Sequence, residues 1–218
     1  MPKRLSRQRG LSETRQAGAR NFVCRKNRRT TGWFPSWKAG QLVPWESRNE
    51  HDYVVCAEVT RSISAIQAQP LQLSFELDGK RVRYTPDYAV TRASRSALIE
   101  VKPDKVARTE DAQVFFAAAR EAARLRGYSF EVVTDKELRA GHRLANAIDI
   151  VHLSLPHDRP ELRQSILLAL DDGITALGAI APEPDEKRWF VYRMLRLGEL
   201  EVAPDQRLDL KSTLSVVS

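Results

Sequence analysis

Apolar residues first take up a regular spacing just after residue 47. Ser47-Arg48-Asn49-Glu50 has the form of a capping box, a hydroxyl before a helix and a carboxylate three residues on. Tyr53, Val54 and Ala57 then fall on one face of a short helix. The period changes to two at Leu71, Leu73, Phe75 and Leu77, the alternation of a half-buried strand. Asp78-Gly79 marks a hairpin turn. Val82 and Tyr84 open the return strand, which is expected to run on through Tyr88-Ala89-Val90. A third strand is expected over 97–102, ended by Pro103, which has no amide hydrogen to donate. A long helix over 108–126 follows, with Val114, Ala118, Ala122 and Leu125 inward and Gly127 as its stop. Residues 130–133 form a fourth strand. Helix, hairpin, strand, helix, strand describes an α/β unit with a mixed central sheet flanked by helices.

Residues 135–160 read as connecting, with Pro156 and Pro160 near the end. Leu162, Ile166 and Leu170 then mark a helix, and a second helix covers 186–197 and stops at Gly198. The last residues alternate weakly through Leu200, Val202, Leu208 and Leu210. Helices followed by a small hairpin predict a winged-helix-like α(+β) module over 155–218.

Charge changes the picture at the other end. The chain has 218 residues and a net charge of +7. Residues 1–40 hold eleven Lys or Arg against the single acid Glu13, so the rest of the chain is net negative. A basic arm over 1–42 on a near-neutral body fits a partner rich in phosphate. Arg25, Lys26, Arg28 and Arg29 are its candidate DNA-binding residues, interleaved with Phe22, Trp33, Phe34, Trp37 and Trp45. Those rings pack on sugars or bases, or else they close over the core. Cys24 and Cys56 have no metal-ligand spacing and fit free thiols in a reducing cytosol. No apolar run reaches the roughly 20 residues of a membrane span, so a cytoplasmic protein is expected. His51, His142, His152 and His157 form no metal spacing.

The candidate chemistry lies in two short runs, Tyr84-Thr85-Pro86-Asp87 and Ile99-Glu100-Val101-Lys102. Side chains two apart on a strand share a face, so Glu100 and Lys102 lie together while Ile99 and Val101 point into the core. If the strands are neighbours, Asp87 sits across from Glu100. Two carboxylates can hold Mg²⁺ with its waters and a substrate phosphate. An ammonium beside them can hydrogen-bond a water or a phosphate. Glu50 offers a third carboxylate from the helix start. Each residue also has a plainer role: Glu100 and Lys102 as a solvated ion pair, Asp87 as a turn acid, Glu50 as the cap of its helix.

Taken together, Ser47-x-x-Glu50, Gln69-Pro70, Asp78-Gly79-Lys80, Thr85-Pro86-Asp87 and Glu100-Val101-Lys102-Pro103 resemble the TnsA-like endonucleases of heteromeric bacterial transposases. The resemblance extends over residues 43–138 and ends in Phe130-Glu131-Val132-Val133-Thr134-Asp135. It implies a restriction-endonuclease-like fold with a PD-(D/E)xK site, a nuclease domain over 43–154 and a partner-binding winged-helix-like domain over 155–218. It implies Mg²⁺, or Mn²⁺ in its place, and cleavage of the 5′ ends of a transposon while a partner transposase cuts the 3′ ends. By position, Glu50 becomes the helix acid and Lys102 the catalytic lysine. Asp87, Glu100, Glu50 and the backbone carbonyl of Val101 become metal ligands. The family's best-known member has Gln at the position of Glu100, whereas Glu is the more usual acid in the wider superfamily. The C-terminal module is implied to bind an AAA+ ATPase regulator, and the setting is bacterial and nucleoid-associated. The same site would also serve a nuclease of restriction, repair or phage defence. A non-catalytic DNA-binding subunit and an RNA-binding protein are the readings without nuclease chemistry.

Overall fold

The computed structural model describes residues 30–93, 95–203 and 206–217. Cys24 and the candidate DNA-binding Arg25, Lys26, Arg28 and Arg29 lie outside the described residues.

The described chain opens on an antiparallel hairpin of β1 (Gly32–Ser36) and β2 (Gln41–Trp45). Its partners Phe34 and Val43 are both buried. An arm ending at residue 42 would cut this hairpin through β2, so residues 32–42 belong with the body. Composition hid the strands, because each carries a proline (Pro35, Pro44) that argues against strand. A Cβ at Gly32 would lie 2.3 Å from the Trp45 ring, so the indole packs directly on that backbone. Phe34, Trp37 and Trp45 therefore pack on the body, Trp33 is 47% exposed, and Phe22 lies outside the described residues. Trp37 lies under the guanidinium of Arg196, 3.7 Å from the ring centroid, and Trp45 meets the His51 ring edge-on.

Helix α1 (Arg48–Val59) is N-capped by Ser47, whose hydroxyl accepts the Glu50 N–H. The Glu50 carboxylate accepts from the Ser47 hydroxyl and from the Glu46 N–H, one residue earlier than the reciprocal bond of a capping box. Residues 52–58 are buried all round rather than along one face. This is tolerated because both buried acids are paired, Asp52 with Arg139 and Glu58 with Arg196.

Strand β3 (Ala65–Ala68) comes next, then β4 (Leu73–Leu77) and β5 (Lys80–Tyr84). The β4–β5 register closes at Leu77↔Lys80, leaving Asp78-Gly79 as the two-residue turn with φ of 50° and 70°. The return strand is not continuous. It breaks at Thr85-Pro86-Asp87, and β6 (Tyr88–Arg92) enters a different sheet. Pro86 has no N–H for a ladder and restricts Thr85 before it, so the chain steps from one sheet to the next there. Strand β7 (Arg95–Lys102) follows, and the main sheet runs β3-β6-β7-β8, with β8 (Ser129–Thr134) parallel to β7 and the other pairs antiparallel.

Helices α2 (Asp104–Ala107) and α3 (Glu110–Arg124) make the crossover from β7 to β8. The buried face of α3 is Phe116, Ala119 and Ala123, whereas Val114 is 50% and Leu125 72% exposed. The expected inward face is thus rotated. Phe116 offers far more apolar area than Val114, and a seat among Leu98, Phe130 and Leu73 sets the phase of the helix. Gly127 (φ 80°) ends the helix, with the Tyr128 N–H bonded back to the Ala123 carbonyl.

The segment expected to be connecting holds α4 (Asp135–Leu138) and α5 (Arg143–Leu153). Helix α5 starts after His142 without a side-chain cap, so the usual start signal is missing. It packs between α1 and α8 (Glu186–Leu197). Before α8 come α6 (Pro160–Asp171), with Pro160 in its first turn, and α7 (Leu177–Ile180). Gly198 (φ 73°) ends α8 as expected. Strands β9 (Leu200–Val202) and β10 (Leu214–Val216) pair antiparallel, and Ala176 bridges Thr213 beside them. Leu208 and Leu210 are not in strands. Ile166, Leu177, Phe190, Met194 and Leu214 fill a core of their own.

Candidate active site

The β6–β7 ladder positions the acids. Tyr88 pairs with Ile99, and one step beyond the start of β6 brings Asp87 level with Glu100. Asp87 Oδ2 accepts the Val101 N–H at 2.8 Å, which fixes that carboxylate to the β7 backbone. Ile99 and Val101 face the core beneath α1, as expected. Leu98 faces α3, and Glu100 and Lys102 continue on that side by strand alternation. Glu100 is only 3% exposed. That burial rules out the solvated ion pair as its description.

Both Glu100 oxygens are engaged. Oε1 takes the salt bridge from Lys102 Nζ, and Oε2 accepts the hydroxyl of Tyr84. Sequence reading placed Tyr84 at the opening of the return strand and at the head of the Tyr84-Thr85-Pro86-Asp87 run, without a role of its own. The available signal was its phenol, which needs a polar partner once buried, next to the Pro86 break.

The electrostatics are those of a crowded anionic pair. Burial, and then the neighbouring Glu100 charge, push the Asp87 carboxyl well above the usual carboxylate range. Burial pulls the Lys102 ammonium down, but the Glu100 and Asp87 charges outweigh it and hold its pKa above the usual lysine value. An ammonium held in this way donates hydrogen bonds. Burial also drives the Tyr84 hydroxyl up, reinforced by Glu100, so it remains a donor.

Glu50 stands apart from the pair. Its charge is felt at Asp87 and Lys102, and burial raises its own pKa, but its two oxygens serve the cap of α1. Among the described residues, no group of three or more His, Cys, Asp or Glu side chains is gathered closely enough to hold a metal ion. The structure thus brings Asp87, Glu100 and Lys102 together around the Val101 backbone, and leaves Glu50 at the edge. Two carboxylates still fit Mg²⁺, which is commonly held by one or two and completes its shell with water and phosphate oxygens. Like charges in a buried pair are also what a divalent cation would relieve.

Residues 60–135 match the model of the TnsA-like endonuclease N-terminal domain. Over this segment the chain is similar to the TnsA-like endonuclease family. The TnsA-like segment contains Asp87, Glu100, Lys102 and Tyr84, the β4–β5 hairpin and the β7–α3–β8 crossover, and Glu50 lies before it. Its mixed sheet flanked by helices fits a restriction-endonuclease-like fold. No curated protein matches the chain. Among the described residues, no helix is long and apolar enough to cross a membrane.

Proposed function

We propose that the chain is a metal-dependent DNA endonuclease that cuts the 5′ ends of a transposon, working with a partner transposase in cut-and-paste transposition. The observation that carries this reading is the pairing of half-buried Asp87 with buried Glu100, Lys102 being salt-bridged to Glu100, inside the TnsA-like segment. Asp87 and Glu100 would hold Mg²⁺ or Mn²⁺, with the Val101 carbonyl as a backbone candidate, and the ion would supply positive charge at the phosphate and a more acidic water. Lys102 adds a fixed cation that hydrogen-bonds the attacking water or a phosphate oxygen. Tyr84 holds the Glu100 carboxylate in one orientation. Glu50 contributes negative charge from the capped start of α1, which favours a cation at Asp87.

The C-terminal module would be the partner-binding part. Three helices, a hairpin and the Ala176 bridge support reading it as winged-helix-like. A largely apolar groove of about 800 Å³ between α6 and β10, lined by Leu167, Leu168 and Val216 among others, offers a seat for an AAA+ ATPase regulator.

The test is cleavage of duplex DNA carrying transposon ends, with Mg²⁺ or Mn²⁺, with and without the transposase, comparing wild type with Lys102→Ala. The expected outcome is 5′-end cutting that requires metal, the partner and Lys102. Cutting that persists without the partner would instead indicate a stand-alone nuclease. DNA binding without any cutting would indicate a structural subunit.

A further inference from the structure

The β4–β5 hairpin stands outside the main sheet and adjoins the active site through its last residue, Tyr84. Its two faces differ sharply. On the inner face, Phe75 and Tyr84 turn to α3, and both rings meet Phe115 edge-on. On the outer face, Arg81 and Arg83 are exposed beside Ser74 and Glu76, and Lys80 is exposed at the tip. Some exposed arginines of this molecule pair with acids, such as Arg108 with Asp104 and Arg124 with Glu121. Among the described residues, no ion pair engages Lys80, Arg81 or Arg83. Glu76 is the register partner of Arg81, yet Arg81 donates to the Ser74 hydroxyl instead.

We propose that this outer face is a track for the phosphate backbone of duplex DNA, held by Arg83 and Arg81, with Lys80 reaching it from the hairpin tip, as the duplex leaves the Asp87–Glu100 site. The proposal rests on the nuclease reading above. Strand rise sets the scale: Arg83 to Lys80 spans roughly 10 Å. The phosphates of one DNA strand advance about 3.4 Å per base pair along the axis, so the row matches roughly three base pairs. Three cations against Glu76 and the turn residue Asp78 leave the hairpin net positive. Guanidinium groups bind phosphate oxygens in a bidentate way, and bonds of this kind set position without reading sequence.

The test measures binding of the full-length chain to a labelled duplex over a range of salt, in EDTA so that nothing is cut. Wild type is compared with the Lys80→Ser/Arg81→Ser/Arg83→Ser triple variant and with Arg81→Lys/Arg83→Lys. The slope of log affinity against log salt falls by about 0.9 for each phosphate that is no longer neutralised, so a drop of roughly 2 to 3 is expected for the triple variant. The weakening should be equal on unrelated sequences, the lysine variant should keep the slope, and melting temperatures should be unchanged. A triple variant with the wild-type affinity and slope, while wild type still cuts with metal, overturns the track and leaves the nuclease reading standing. A wild type that neither binds nor cuts duplex DNA overturns both.

Discussion

At the scale of single residues, the site depends on which hydrogen bonds hold a buried carboxylate. Glu100 has a cation on one oxygen and a phenol on the other. Removing the phenol would leave Oε2 without its donor in a place where water does not readily substitute, a cost of about 1 to 3 kcal/mol. Tyr84→Phe should therefore raise the Mn²⁺ concentration needed for half-maximal cleavage and weaken Mn²⁺ binding measured by calorimetry. A purely structural Tyr84 would lower stability and leave both quantities unchanged. The shared side of Glu100 and Lys102 was legible in the sequence, because the period of two fixes which side chains share a face, whereas Asp87 comes level with Glu100 only through the β6–β7 register. Tyr84 was not legible, because nothing local says which polar atom an inward phenol will meet. Glu50 was legible as both cap and candidate ligand, and the cap is the role whose bonds are made.

At the scale of elements, the phase of α3 tests how the fold chooses a helix face. Alanines at 112, 117–119, 122 and 123 leave the stripe ambiguous in sequence, since alanine is accepted on either side. The ambiguity is resolved by the seat that Leu98, Phe130 and Leu73 form for Phe116. Phe116→Ala should lower stability by about 3 to 5 kcal/mol. Val114→Ala should stay within about 0.5 kcal/mol. Urea unfolding midpoints decide it, and the reverse ranking would mean that the helix presents its other face. The broken return strand has the same lesson. Alternation alone carries Val82 and Tyr84 on into Tyr88, but Pro86 ends one ladder and lets Asp87 turn onto β7 in the next.

At the scale of the whole molecule, the N-terminal hairpin, α1 and α8 meet at one buried ion pair. Glu58 is 0% exposed and is held by Arg196, the Ser36 hydroxyl and the Trp37 N–H. Arg196 also stacks on Trp37 and donates to the Pro35 carbonyl. Arg196→Met should cost about 3 to 5 kcal/mol, since it strands a buried carboxylate. Adding Glu58→Gln should recover much of that stability. If the double variant is no more stable than the single one in denaturant unfolding, the charge pairing is not what joins these elements.

The sequence alone determined the succession from the β4–β5 hairpin through β7, α3 and β8, the Asp-Gly turn, the stops at Pro103, Gly127 and Gly198, and the shared side of Glu100 and Lys102. These follow from local rules: periodicity, backbone restriction and the absence of an N–H. Only the tertiary structure decided that Pro-containing segments pair as β1 and β2, that residues 143–153 form a helix, that α3 turns Phe116 inward, and that Tyr84 reaches Glu100. Each of those depends on what a distant residue buries or satisfies, and such partners are set by packing across the chain rather than by the pattern within any one segment.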